Sequence, residues 1–180
     1  PADAEAAIRR IMAIRRRNEE GNRDITYLLP GLGGALKAQG KLDEAAAVFT
    51  QWLQAVEQEE GRRSQQVYWP LAALAKCYEA QGLFDRAEPL RERALVLWAP
   101  EDVNNVLDDL GQNLRTQRKF ERAEALYREY MANAARLHPG EEGYIVRYLV
   151  RLGELAFDQR QYVEARALYA RAFDIASRVW

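Results

Sequence analysis

The residues able to do covalent or metal chemistry are few and scattered. The chain holds one histidine, His138, one cysteine, Cys77, and two serines, Ser64 and Ser177. Nucleophilic catalysis needs a hydroxyl or thiol with a base in reach, and a zinc site needs several His or Cys ligands at set spacings. His138 falls in Leu137-His138-Pro139-Gly140, which reads as a linker, Ser64 in a polar stretch, and Ser177 in the last helical pattern. Neither serine has a base beside it, and a zinc site lacks its second imidazole. Cys77 follows Lys76, and an exposed lysine would lower a thiol pKa, but the helical register turns Cys77 inward. Gly31-Leu32-Gly33-Gly34 lacks the preceding strand and the Lys-Ser/Thr pair of a phosphate-binding loop. The acidic pairs Asp108-Asp109 and Glu141-Glu142 point to different helix faces or sit in a turn, as charged faces of amphipathic helices do. The expectation is a protein without catalytic activity, cofactor or metal.

The elements that carry these residues are those of an ordinary soluble chain: 180 residues, 48% hydrophobic and 29% charged. Lys and Arg number 26 against 27 Asp and Glu, for a net charge of −1, so no broad field gathers nucleic acid or an anionic membrane. No uncharged stretch is longer than that from Ile25 to Leu36, which contains Pro30 and three glycines and is too short to span a bilayer. One cysteine excludes an internal disulfide, so the reading is cytoplasmic, with no nucleic-acid or membrane partner. The sequence opens abruptly at Pro1-Ala2-Asp3-Ala4 and reads as a segment of a longer array.

Internal repetition organises the chain. Four copies begin at a small residue: Gly33-Gly34-Ala35-Leu36-Lys37-Ala38-Gln39-Gly40, Ala75-Lys76-Cys77-Tyr78-Glu79-Ala80-Gln81-Gly82, Gly111-Gln112-Asn113-Leu114-Arg115-Thr116-Gln117-Arg118 and Gly153-Glu154-Leu155-Ala156-Phe157-Asp158-Gln159-Arg160. The small residues lie 42, 36 and 42 positions apart, and a turn follows each at Gly40, Gly82, Arg118 and Arg160. Leu42, Phe84, Phe120 or Tyr162 then opens a second helix, with Ala45, Ala87, Ala123 or Ala165 three residues on. Small residues let paired helices approach, bulky ones at helical spacing fill the gap between hairpins, and a hairpin that cannot bury its face alone must stack on its neighbours.

The spacing predicts helices near Ala2–Arg17, Ile25–Ala38, Leu42–Glu59, Gln66–Ala80, Phe84–Trp98, Asp102–Thr116, Phe120–Leu137, Glu142–Asp158 and Tyr162–Val179. The first is a second helix without its partner, because Ala4-Glu5-Ala6-Ala7-Ile8-Arg9-Arg10-Ile11-Met12 aligns with Ala123-Glu124-Ala125-Leu126-Tyr127-Arg128-Glu129-Tyr130-Met131. The domain reading is one array: a half repeat over 1–18, then repeats over 25–65, 66–100, 101–141 and 142–180.

This pattern of Leu-Gly, aromatic, Ala and aromatic resembles the tetratricopeptide repeat. The long period and the run Ala87-Glu88-Pro89-Leu90, followed by Arg93-Ala94-Leu95, resemble the roughly 42-residue unit of kinesin light chains. The resemblance covers the whole chain and implies an all-α fold, a right-handed α-α superhelix. Two departures stand out: Arg91 occupies a second-helix position that is usually aromatic, and Pro30-Gly31-Leu32-Gly33-Gly34 softens one first helix.

The same resemblance implies that five positions of each first helix face a ligand. They are Tyr27, Pro30, Gly31, Gly34 and Lys37; Trp69, Ala72, Ala73, Lys76 and Glu79; Asn105, Asp108, Asp109, Gln112 and Arg115; and Arg147, Val150, Arg151, Glu154 and Phe157. Such a mixed surface with aromatic ends suits a protein partner's peptide, with Tyr27 and Trp69 expected either as its anchors or as packing against the preceding hairpin. Arg147 and Arg151 match the basic pair of the two-carboxylate clamp known in some tetratricopeptide domains. The remaining clamp positions do not match, since Pro30 or Ala72 replaces a lysine and Asp109 an asparagine, so pairing of the arginines with Asp108 and Asp109 is expected instead. The competing expectation is a structural segment that forms a homo-oligomer through apolar terminal helices, with Ile8, Ile11 and Met12 at one end and Phe173 and Trp180 at the other.

Overall fold

The computed structural model describes residues 1–17, 26–97, 103–137 and 143–179. Nine α-helices occur among the described residues: α1 (Ala2–Arg17), α2 (Leu29–Ala38), α3 (Leu42–Glu60), α4 (Tyr68–Ala80), α5 (Phe84–Leu97), α6 (Val103–Thr116), α7 (Phe120–Leu137), α8 (Gly143–Asp158) and α9 (Tyr162–Val179). The chain divides into two compact units, Pro1–Val106 and Leu107–Trp180, with the division falling inside α6. Trp98, His138, Glu141, Glu142 and Trp180, which figure in the expectations above, lie outside the described residues.

Each first helix ends in the same way. Gly40 and Gly82 at φ 76°, Arg118 at 58° and Arg160 at 62° all adopt the left-handed conformation. In every case the following residue donates its N–H back five residues: Lys41 to Leu36 O at 3.0 Å, and Leu83 to Tyr78 O, Lys119 to Leu114 O and Gln161 to Ala156 O at 2.9 Å. The left-handed residue itself donates to the carbonyl three back, as Gly40 does to Lys37 at 3.0 Å. These paired bonds are Schellman caps, which satisfy the last carbonyls of the helix and turn the chain into the second helix.

Helix starts differ from the sequence expectation where proline intervenes. α2 begins at Leu29 rather than Ile25, with Pro30 in its first turn, and α4 begins at Tyr68 rather than Gln66, with Pro70 at its third position. A first-turn proline gives up no hydrogen bond, because that N–H has no intrahelical acceptor. Ahead of α4 the chain makes a 3-10 turn, Gln65–Val67, whose Ser64 Oγ accepts from the Gln66 N–H at 3.2 Å.

In the unit Pro1–Val106, one core forms where Met12, Leu32, Leu36, Phe49, Leu74 and Cys77 meet, and a second where Val56, Val67, Leu71, Ala94 and Val106 do. α1 packs on α2. It is fastened by Glu5, whose carboxylate accepts from Arg9 at 2.8 Å, Gln39 at 2.9 Å and Lys41 at 2.8 Å. These donors hold the Glu5 carboxyl far down, at about 2. In the unit Leu107–Trp180, Ile145, Leu149, Ala172 and Ile175 form one core cluster, with Met131 and Leu168 against it.

The small landmark residues are spaced sixteen positions ahead of a bulky residue on the second helix, 33 to 49, 75 to 91, 111 to 127 and 153 to 169. Three of these pairs are a glycine under an aromatic ring. A methyl group added at Gly33, Gly111 or Gly153 would fall under 3.0 Å from the ring of Phe49, Tyr127 or Tyr169 respectively. Thus the absence of a Cβ is a packing requirement at three landmarks. The fourth pair is Ala75 and Arg91, where the side chain is not a ring and the landmark has a Cβ.

Candidate functional site

In the unit Pro1–Val106 the first helices present aromatic and basic side chains. Tyr27, just ahead of α2, is 59% exposed, and Trp69, second residue of α4, is 55% exposed and packs edge-on against Tyr68 with ring centres 5.0 Å apart. Lys76 is exposed and Lys37 half-buried, and neither is in an ion pair among the described residues. Gly31 and Gly34 are exposed, with no atom within 4 Å of a Cβ built at Gly34, so the α2 face offers backbone rather than side chains there. Asn105 at the head of α6 is exposed.

The acidic group on this face is committed. Glu79 accepts from Arg91 Nη2 at 2.8 Å and Nε at 3.1 Å, and Arg91 itself is only 2% exposed although it comes from the second helix, α5. A two-point guanidinium–carboxylate contact of this kind is directional and strong for its size. The sequence flagged Arg91 as a departure but did not find its partner. The available signal was Ala75, the one landmark that is not glycine.

In the unit Leu107–Trp180 the first-helix face carries an alternating chain of charges. Arg147 reaches Asp108 at 3.4 Å, and Arg151 spans Asp108 through Nε at 3.0 Å and Nη2 at 2.9 Å. Arg151 Nη1 also donates to Glu154 at 3.1 Å. Glu154 accepts in turn from Arg115 at 3.0 Å, and Arg115 forks onto Asp158. The carboxylates raise the pKa values of Arg151 and Arg115, and the Arg115 guanidinium holds the Asp158 carboxyl below its ordinary value. Tyr127, packed on Gly111, has its phenol pushed up by burial.

This network places Arg147 and Arg151 against Asp108, as one expectation had it, but with Glu154 as the second acid partner of Arg151. Gln112 is exposed and accepts from Arg115 at 3.3 Å, and Asp109 is half-buried. Asp158 was not singled out from the sequence, since it lies one residue past the ligand-facing position at Phe157. The guanidinium groups of Arg151 and Arg115 each already hold two carboxylates, whereas Arg147 makes a single 3.4 Å contact.

Of the residues weighed for catalysis, Cys77, Ser64 and Ser177 make local contacts. Cys77 is fully buried, its thiol donates to Leu42 O at 3.2 Å, and burial raises its pKa. Ser64 caps the 3-10 turn, and Ser177 donates to Asp174 O at 3.0 Å. Among the described residues no three His, Cys, Asp or Glu side chains cluster as a metal site, and no helix is long and apolar enough to cross a membrane.

Comparison with known proteins agrees with this architecture. The family model for the tetratricopeptide repeat matches residues 71–102. A search of curated proteins returned no match. Among solved structures, a kinesin-light-chain TPR-like repeat protein from Podosopora anserina is similar with a TM-score of 0.81 at 17% identity, over 98% of this chain and 87% of that one. BtubC (BKLC) from P. vanneervenii follows at 0.72 and 21%, over 98% and 73%, and MamA at 0.64 and 16%, over 98% and 91%. The chain carries a tetratricopeptide repeat and has the all-α fold of tetratricopeptide solenoids, similar in fold to kinesin-light-chain TPR-like repeats. That fold is in general a protein-interaction scaffold.

Proposed function

We propose that the chain is a non-catalytic, cytoplasmic scaffold that binds a peptide segment of a partner protein on the first-helix face of the unit Pro1–Val106. The observation that carries this reading is the combination of Trp69 and Tyr27, both more than half exposed, with two lysines, Lys37 and Lys76, that form no ion pair among the described residues. Exposed aromatic residues contribute most of the affinity at many interfaces, and uncommitted cations favour a segment that bears a carboxylate. The partner is therefore an extended segment with an apolar residue for Trp69 and an acidic one for the lysines. In the other unit Arg147, Arg151, Glu154, Asp109 and Gln112 serve as a polar surface of settled charge.

The test is a pull-down with the wild type and Trp69→Ala, followed by titration of the captured segment. Loss of a central aromatic anchor costs about 2 kcal/mol or more, an affinity drop of roughly thirtyfold. Equal capture by both proteins refutes the reading. A second reading, self-association, draws on α9, where Tyr162, Tyr169 and Phe173 lie on one helical face and Phe173 is 76% exposed. It predicts concentration-dependent sedimentation that Phe173→Glu abolishes, and a concentration-independent monomer removes it.

A further inference from the structure

Arg91 is the sole bulky partner of a landmark residue that is not aromatic, and its burial is unexplained by packing alone. A buried guanidinium carries a large desolvation cost that a leucine or tyrosine avoids, and the bidentate contact with Glu79 offsets that cost without making the pair a strong source of stability. The consequence lies on the face of α4. Glu79 is the only acidic residue in α2 and α4 together, and it sits three residues after Lys76 on the same helix. Residues three apart on a helix are neighbours and pair readily when oppositely charged. With Arg91 holding the Glu79 carboxylate at 2.8 and 3.1 Å, Lys76 is left without an ion pair among the described residues.

We infer that Arg91 is a specificity-determining residue: by sequestering Glu79 from behind, it keeps Lys76 available for a carboxylate of the bound peptide. This inference rests on the proposed binding face of the unit Pro1–Val106. Arg91 does not touch the peptide and acts only through Glu79. Replacing it with the ring found in the other three copies returns Glu79 to Lys76, which neutralises the lysine and places a negative charge where the partner's acid must lie.

The experiment uses the full chain and two labelled peptides, one of alternating leucine and glutamate, the other with glutamine in place of glutamate. Ala75→Gly/Arg91→Tyr installs the glycine–aromatic pair that the other copies already accommodate. The wild type is expected to prefer the glutamate peptide. The double variant is expected to bind it about fivefold more weakly, as for loss of one exposed ion pair, and the glutamine peptide unchanged. Adding Glu79→Gln restores glutamate-peptide binding, a rescue that a purely structural role for Arg91 does not give. Should the double variant fail to fold, Arg91→Met with and without Glu79→Gln poses the same comparison. Unaltered binding by the Arg91 variants, or no rescue by Glu79→Gln, overturns the role of Arg91 while leaving the binding face in place. A wild type that takes up neither peptide, or both equally, overturns the binding face itself, and the inference with it.

Discussion

Gly33 and Gly34 are adjacent in α2, yet the same alanine substitution should move stability in opposite directions. An alanine inside a helix is favoured over glycine by about 0.8–1.0 kcal/mol through backbone entropy. At Gly34 nothing lies within 4 Å of the new Cβ, so Gly34→Ala receives this gain in full. At Gly33 the Cβ falls under 3.0 Å from three atoms of the Phe49 ring. Phe49 is 4% exposed and packed in the core with Leu36, Ala45 and Leu74, so the ring has no room to swing aside. Overpacking of this kind costs about 1–3 kcal/mol, and with a rigid ring the upper end applies, leaving Gly33→Ala destabilised by about 2 kcal/mol after the propensity gain. For a chain of this length 1 kcal/mol moves the melting temperature by about 2–4 °C. Thermal melts followed by circular dichroism should place Gly34→Ala a few degrees above the wild type and Gly33→Ala several degrees below it. Trimming the ring in Gly33→Ala/Phe49→Leu should recover part of the loss, a non-additivity that marks direct contact. Equal melting temperatures for the two alanine variants would refute the view that the landmark glycines are fixed by ring packing.

Other outcomes follow from single contacts. Arg160 at φ 62° takes up a left-handed conformation that costs an L-residue about 1–2 kcal/mol, so Arg160→Gly should raise stability by about 1 kcal/mol in urea titration. Glu5 has its pKa lowered from 4.5 to about 2 by donors from Lys41, Gln39 and Arg9. A depressed carboxyl stabilises the fold above its unfolded value and loses that contribution as pH falls from about 4.5 towards 2, so Glu5→Gln should flatten the decline in melting temperature within that window. The Cys77 thiol, buried with its pKa raised, should resist a thiol reagent in the native protein and react at the rate of unfolding.

Much of the fold was legible because the repeat is written in local chemistry. The small landmark, the turn seven residues on and the alanine of the second helix recur in all four copies, and α7 and α9 carry the expected bounds, Phe120–Leu137 and Tyr162–Val179. Arginine at two of the four turn positions did not obscure the signal, since the Schellman bonds are made by the backbone and tolerate the strain. Helix starts were less legible. Pro30 and Pro70 shifted them because proline fits the first turn and the residues before it adopt a tighter 3-10 path instead.

The sequence alone determined that this is a stack of helical hairpins, and it supplies only one histidine, one cysteine and two serines. Both follow from residue type and spacing along the chain. Tertiary structure decided the commitment of each charge. Trp69, Tyr27, Lys37 and Lys76 were nameable from repeat position, but that Lys76 is uncommitted while Arg151 is spoken for depends on which side chains reach it from a helix many residues away. Arg91 crosses from α5 to Glu79 on α4, and Arg115 on α6 meets Asp158 on α8, 43 positions along the chain. Periodicity fixes which face a residue occupies, whereas ion pairing is fixed by distances of about 3 Å between helices, and those exist only once the hairpins have packed.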